Sequence, residues 1–333
     1  MSYLLIVAIG AVLVFAVTNG MKDGANVFAT TVASGALPRS VAIVIVAIAE
    51  LAGPYLLGTR VAATVSQNII DPTVIHGGDG TIIMLLSGIL GALAWNGLSW
   101  YLKLPTSSSL TLVGGLIGPA LYRYGLVAVP WGVFSIKIVL VMFLSPVAGL
   151  LAGYLICLLF RFLLKGASPR ANRPIRKAHF ATLIFLGMNH GTNDSQKAMG
   201  VIALLLFVAG RNHAIAVPFW VKTACVLALT TGIVTGGTKI IKTVGYGIFK
   251  VRPLQSLEAQ LGAAGLLLGS NLAGVPVSTT QIISSGIMGV GTGIRAKGVR
   301  WNLARTIVWS WILTLPLAGL MGVLIYMLLR SLL

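Results

Sequence analysis

The chain has 333 residues, of which 57% are apolar and 9% charged. A soluble domain carries about 25% charged residues, so this composition cannot cover a water-facing surface and excludes a cytosolic enzyme, a secreted domain and a disordered protein. The net charge of +18 comes from 24 Lys and Arg against 6 Asp and Glu; in a membrane chain such an excess belongs to cytoplasmic loops.

The first apolar segment is 3–19. No basic region precedes it and no A-x-A-like site leads into a soluble domain, so it reads as a membrane helix and not as a signal peptide. The polar run Asn19-Gly20-Met21-Lys22-Asp23-Gly24-Ala25-Asn26 follows, then apolar segments 24–37 and 40–58, the latter carrying Glu50. The stretch 59–80 reads as a loop with one base, Arg60, and two acids, Asp71 and Asp79. Segment 81–102 leads to Pro105-Thr106-Ser107-Ser108-Ser109, which opens segment 105–121. Loop 122–130 with Arg123 and segment 134–160 complete the first half. The linker 161–177 holds Arg161, Lys165, Arg170, Arg173, Arg176 and Lys177, which predicts a cytoplasmic position. Six more apolar segments follow, at 178–190, 194–209, 214–236, 257–273, 276–292 and 304–329. Several are shorter than the roughly 20 residues a crossing needs, so half-helices broken at Gly and Pro are expected. The 40 glycines point to closely packed helices. Cys157 and Cys225 lie inside apolar runs and read as small core residues, with no disulfide framework.

The second half repeats the first. A shift of 171 sets Gly20 and Asp23 on Gly191 and Asp194, and Pro105-Thr106-Ser107-Ser108-Ser109 on Pro276-Val277-Ser278-Thr279-Thr280. After a one-residue deletion in the 120s, Trp131 falls on Trp301, Pro146 on Pro316 and Ala148-Gly149-Leu150 on Ala318-Gly319-Leu320. The expected organisation is a first repeat at 1–160, the basic linker 161–177 and a second repeat at 178–333. Loop 239–252 carries Lys239, Lys242, Lys250 and Arg252, and loop 293–305 carries Arg295, Lys297, Arg300 and Arg305, whereas their first-half counterparts are poor in bases. Equivalent loops therefore fall on opposite sides, and the halves are expected to be inverted, with both termini outside. Inverted repeats with broken helices are the architecture of secondary transporters, with the site near mid-membrane between the repeats.

Intramembrane carboxylates are expensive and mark function. Four of the six acids, Asp23, Glu50, Asp194 and Glu258, lie in or beside apolar segments. Asp23 and Asn26 are three apart and share a helix face. A carboxylate and an amide oxygen, with carbonyls freed by a Gly-broken helix, suit a hard cation or a proton. Asp23 could instead simply pair with Lys22 or a basic loop; its recurrence as Asp194 favours a functional role. Each Pro-led Ser/Thr run opens a helix whose first N–H groups point out along the axis. Two such ends meeting at mid-membrane would hold a tetrahedral oxyanion without any arginine, while the bland reading is that Ser and Thr let helices pack. Lys197 stands where Asn26 stands in the first half, and would contact the anion, neutralise Asp194 or replace a bound cation. His190 is a candidate proton carrier or a structural residue. His76, His179 and His213 read as loop or interface residues.

At these motifs the chain resembles the inorganic phosphate transporter (PiT) family over nearly its full length. The motifs are the Gly-x-x-Asp signatures at 20–26 and 191–197, Gly58-Thr59-Arg60 with Asn68-Ile69-Ile70-Asp71, Trp95-Asn96, Leu104-Pro105-Thr106-Ser107-Ser108-Ser109, and Gly274-Val275-Pro276-Val277-Ser278-Thr279-Thr280. The resemblance implies an all-α polytopic membrane protein with two inverted repeats and Ser/Thr-tipped helical hairpins. It implies phosphate binding by Thr106, Ser107, Ser108, Ser109, Ser278, Thr279 and Thr280. It assigns Asp23, Asn26, Asn193 and Asp194 to the coupling cation, with Glu50 and Glu258 at acidic positions needed for transport. If sodium is the coupling ion, Asp23, Asn26 and Asp194 would be its ligands. Sodium-coupled members commonly have Asn where Lys197 stands. The Gln196-Lys197 form resembles a bacterial low-affinity branch in which protons drive uptake, often of a neutral metal–phosphate complex. The family's His after each Ser/Thr run is Leu110 and Gln281 here.

The resulting expectation is a cation-coupled phosphate symporter, with protons favoured over sodium, in a prokaryotic plasma membrane. No cofactor is expected beyond the coupling ion or a divalent metal carried with phosphate. The partners are phosphate and membrane lipid, with a homodimer left open and no nucleic acid. A sulfate permease of the same fold and sodium-coupled phosphate symport are the alternatives. An intramembrane hydrolase lacks a nucleophile–base pair, and a passive anion channel would not need duplicated acids.

Overall fold

The computed structural model describes residues 3–102, 104, 106–212, 214–236, 245 and 247–332. Pro105, His213, Lys239 and Lys242, named above, lie outside the described residues. The first half runs α1 (Tyr3–Asn19), a π-helical stretch Gly20–Gly24, α2 (Ala25–Ala33), α3 (Arg39–Leu56), α4 (Arg60–Asn68), α5 (Asp79–Tyr101), α6 (Ser108–Tyr124), the short α7 (Trp131–Phe134), a second π-helical stretch Ser135–Leu140, and α8 (Val141–Leu163). The second half runs α9 (Asn172–Val208), α10 (Phe219–Thr235), α11 (Pro253–Ala273), α12 (Thr279–Arg295) and α13 (Trp301–Leu332).

The order of long helices recurs from one half to the other, and so do details. Trp131 Nε1 donates to the Leu126 carbonyl at 2.8 Å, and Trp301 Nε1 donates to the Ala296 carbonyl at 3.0 Å. The stretch read as a loop at 59–80 contains the nine-residue helix α4. The largest departure concerns the expected helix breaks. In the first half the chain does not break at Gly20–Gly24 but widens into a π-helix. There the two glycines admit α10, since a Cβ on Gly20 would meet the Leu229 carbonyl and one on Gly24 the Ile233 side chain. In the second half, 178–190 and 194–209 are parts of one helix of 37 residues. Gly191 there serves close approach, because a Cβ would strike the backbone of Glu50 on α3. Every residue from 189 to 206 is buried; packing on all sides keeps the helix continuous through its polar centre.

The halves interlock. α6 packs on α13 and α12 on α8, so the inner hairpin helix of each half lies against the last helix of the other. Glycines make these seams. A Cβ on Gly118 would land on the Gly319 carbonyl, and one on Gly289 on the Leu150 carbonyl, the small-residue contact of membrane helices. The outer faces of α8 and α13 expose Phe143, Leu144, Val147, Leu151 and Leu155, and Trp309, Leu313, Leu320, Leu324 and Leu328. Most of them spaced three, four or seven apart, these form apolar stripes suited to lipid. Among the described residues, six helical stretches are long and apolar enough to cross a membrane: Tyr3–Ala33, Arg39–Leu56, Asp79–Tyr101, Ser108–Ala128, Trp131–Leu163 and Trp301–Leu332.

Candidate substrate and ion site

Two helix N-termini define the centre. Ser107 is extended (φ −90°, ψ 117°) and its hydroxyl accepts the Leu110 N–H at 3.2 Å; Ser278 (φ −99°, ψ 110°) accepts the Gln281 N–H at 3.4 Å. Each serine is thus an N-cap that starts its helix. The first-turn amides of Ser108 and Ser109 on α6, and of Thr279 and Thr280 on α12, have no acceptor within their own helices, and all four residues are buried.

The two tips touch. Ser109 Oγ donates to the Val277 carbonyl at 2.9 Å. Asp23 stands between the tips: Thr280 Oγ1 donates to its Oδ1 at 2.5 Å, and the Ser108 hydroxyl, also beside Asn19, donates to its Oδ2. Asn26 Nδ2 donates to Thr280 Oγ1 at 2.7 Å, and Asn26 Oδ1 is buried without a partner. Asp23 is 2% exposed, so a carboxylate deep in the chain ties the first helix to both hairpins. These carboxylate, amide and hydroxyl oxygens suit a hard cation or a proton.

On the second half's side a buried chain of charges runs Glu50–His190–Asp194–Lys197. His190 Nδ1 bonds Glu50 Oε1, and its Nε2 lies 3.1 Å from Asp194 Oδ2, at ion-pair distance without hydrogen-bond alignment. Lys197 Nζ donates to Asp194 Oδ1 at 2.5 Å and to the Val277 carbonyl at 2.9 Å. Thr279 Oγ1 reaches Asp194 Oδ1 at 3.4 Å. Asn193 holds the second tip: its Nδ2 bonds Asn271 Oδ1 at 3.0 Å and Ser270 Oγ at 3.3 Å, and its Oδ1 accepts the Val277 N–H at 3.3 Å.

Other residues named from the sequence fall elsewhere. Gln196 pins the turn before α4, accepting the Ala62 N–H at 3.0 Å and donating to the Gly58 carbonyl at 2.8 Å. Glu258 is 12 residues before Ser270 on α11, about 18 Å along a helix, and its Oε2 is buried without a partner. Of the two readings of His179, loop or interface, the structure has the interface: it contacts Thr31, Gln260 and Pro253 on other elements. It is buried within α9, with Nε2 3.0 Å from the Pro253 carbonyl and Nδ1 3.3 Å from Gln260 Oε1. His76 does lie in an exposed loop.

Lys22 is the residue whose position the sequence reading passed over. Its ammonium is buried at the first tip, donating to Thr106 Oγ1 at 2.9 Å, Asn96 Oδ1 at 3.0 Å and Ser99 Oγ at 3.2 Å. The signal was present in the repeat, since a shift of 171 carries Lys22, Ser99 and position 106 onto Asn193, Ser270 and position 277, which are also in mutual contact.

Three comparisons bear on the chain as a whole. A model described as the phosphate transporter family matches residues 19–322. A probable low-affinity inorganic phosphate transporter of Bacillus subtilis (strain 168) is 36% identical over 320 residues, covering 96% of this chain and 95% of the relative. One of the same description from Rhizobium meliloti (strain 1021) is 36% identical over 326 residues, covering 97% and 96%. A solved structure titled the sodium-dependent phosphate transporter shares the fold, with a TM-score of 0.87 over 99% of this chain and all of its own, at 22% identity. The family match takes in both hairpin tips and both polar signatures, and the relatives align from end to end: the chain belongs to the phosphate transporter family.

Proposed function

We propose that this chain is a cation-coupled inorganic phosphate symporter of a prokaryotic plasma membrane, working by alternating access of two inverted repeats and driven by protons in preference to sodium. It is a transporter-family protein and not an enzyme. The observation that carries the coupling is Asp23, whose carboxylate is bonded to a hydroxyl from each tip. Free first-turn amides of α6 and α12 attract an oxyanion, but an ionised carboxylate between them repels it by about 4 kcal/mol at 4 Å and an effective dielectric of 20. A proton or cation on Asp23 removes that repulsion, so anion and cation favour each other's binding, which is the thermodynamic content of symport. Protons are favoured because the corresponding place in the second half is filled by a fixed ammonium, Lys197, on Asp194.

The deciding experiment is phosphate uptake by the purified protein in proteoliposomes with sodium and proton gradients imposed separately. The expected result is accumulation driven by an inward proton gradient and indifferent to sodium. Uptake that needs sodium and ignores protons would overturn proton coupling, and uptake of sulfate in place of phosphate would select the sulfate permease. Topology is tested by cysteine labelling. Ser168→Cys in the basic linker should react only from the cytoplasmic side and His76→Cys only from outside. Both positions are exposed, while the native Cys157 and Cys225 are buried. Labelling of both from one side rejects the inverted arrangement.

A further inference from the structure

The two halves carry the same pair of residues in opposite order. Position 22 is Lys where its mate 193 is Asn, and position 26 is Asn where its mate 197 is Lys. Each lysine nevertheless reaches the equivalent point of its own hairpin tip, Lys22 at Thr106 and Lys197 at Val277. The exchange leaves the halves electrically unlike. In the second half the lysine is spent on its aspartate, Lys197 on Asp194. In the first half the charges are kept apart. Asp23 faces Ser108 and Thr280, while Lys22 faces three neutral oxygens. Among the described residues no carboxylate lies within ion-pair distance of Lys22, although it is only 6% exposed. Its three N–H donors are satisfied by neutral oxygens, and its charge is offset only through space by the neighbouring Asp23, with no ion pair. A buried cation without an ion-pair partner is costly, and here it borders the helix end whose amides attract an anion.

We propose that Lys22 is the fixed counter-charge of the transported oxyanion, a substrate-binding residue at the first tip, in division of labour with Asp23, which takes the coupling cation. This rests on the phosphate reading above. Once Asp23 carries its proton or cation, the anion meets one uncompensated positive charge from the first half, with the four first-turn amides, while Lys197 adds none because Asp194 cancels it. Thr106 Oγ1, which accepts from Lys22 and donates to Ser99 Oγ at 2.9 Å, couples the position of the ammonium to the tip itself.

The test is phosphate binding to the purified full-length protein by calorimetry, with thermal unfolding recorded in the absence of phosphate. The proteins are the wild type, Lys22→Gln, Lys22→Arg and the reciprocal double variant Lys22→Asn with Asn193→Lys. Lys22→Gln should raise the phosphate Kd at least about tenfold, the effect of one lost charged contact, and leave the unfolding temperature unchanged or higher because an unpaired buried charge is gone. Lys22→Arg should bind more tightly than Lys22→Gln. The double variant, which returns an ammonium to the mate position, should do the same. A Lys22→Gln protein that binds as the wild type does, whether or not it melts lower, makes Lys22 a mere pin of the hairpin and overturns the proposal. If Lys22→Gln does not fold, the double variant decides: phosphate binding within about tenfold of wild type supports the counter-charge, and its loss in a folded protein overturns it. Failure of the wild type to bind phosphate would instead sink the phosphate reading itself.

Discussion

Asp23→Asn is expected to abolish gradient-driven phosphate accumulation while leaving a folded protein that still binds the anion. Asparagine keeps the size of the side chain; its amide oxygen accepts from one of the two hydroxyls of Ser108 and Thr280 and its NH2 donates to the other, so the link between the tips is kept. What it removes is the negative charge. With no carboxylate to neutralise, the anion gains nothing from a proton or cation, and the coupling free energy falls towards zero. If the repulsion relieved in the wild type is about 4 kcal/mol, uptake against a phosphate gradient should drop by about 100-fold or more. Phosphate–phosphate exchange across the same proteoliposomes should survive and lose its dependence on the coupling ion. Full accumulation by this variant would take Asp23 out of the coupling mechanism. Loss of exchange as well, with folding intact, would make it a binding residue only.

Lys197→Asn should have the second large effect, first on stability. Lys197 is 2% exposed and its ammonium holds both Asp194 and the Val277 carbonyl of the second tip. Breaking a buried ion pair by removing one partner costs about 3–5 kcal/mol, because the other charge is left uncompensated. His190 beside Asp194 offsets part of that cost when protonated. A small cation can offset the rest, since Asp194, the introduced asparagine amide and the Val277 carbonyl would then supply oxygen donors. The variant should therefore melt lower than wild type in choline chloride and be raised by sodium, with the wild type showing no such sodium effect. Its uptake should be lost or become sodium-responsive. A variant that melts as the wild type does, or whose melting ignores sodium, refutes the view that the lysine stands in for a cation.

The glycines show where reading the sequence met its limit. Gly20 with Gly24, and Gly191, announced departures from ordinary helix in both halves, yet only the first half departs, and as a π-helical widening. Propensity cannot separate a glycine that breaks a helix from one that admits a neighbour. The second case holds at Gly191, where α3 presses on α9 at Glu50. Likewise the motifs set Glu258 among the acids needed for transport and left the role of Gln196 open. The helix places Glu258 well along α11 from the tips, and Gln196 is committed to the turn before α4.

What the sequence determined by itself was everything carried by composition and repetition. A chain with 9% charge must bury itself in lipid, and a polar signature that recurs 171 residues later, each time followed by a Pro-led hydroxyl run, marks two copies of one device. That logic is local and additive, and the Ser/Thr runs, Asp23 and Asp194 were legible from it. Which partner each charge takes is neither local nor additive. Lys22 and Asp23 are neighbours in the chain, and sequence proximity suggests a pair, but successive residues on a helix point in different directions. Lys22 turns to Thr106, while Asp23 bridges Ser108 of the same hairpin and Thr280 of the opposite one. Lys197 and Asp194, three apart on one helix face, do pair. Only the crossing of the two hairpins over α1, α2 and α9 decides these partners, because a buried charge is satisfied by whatever oxygen or ion the packing brings within reach, from any distance along the chain.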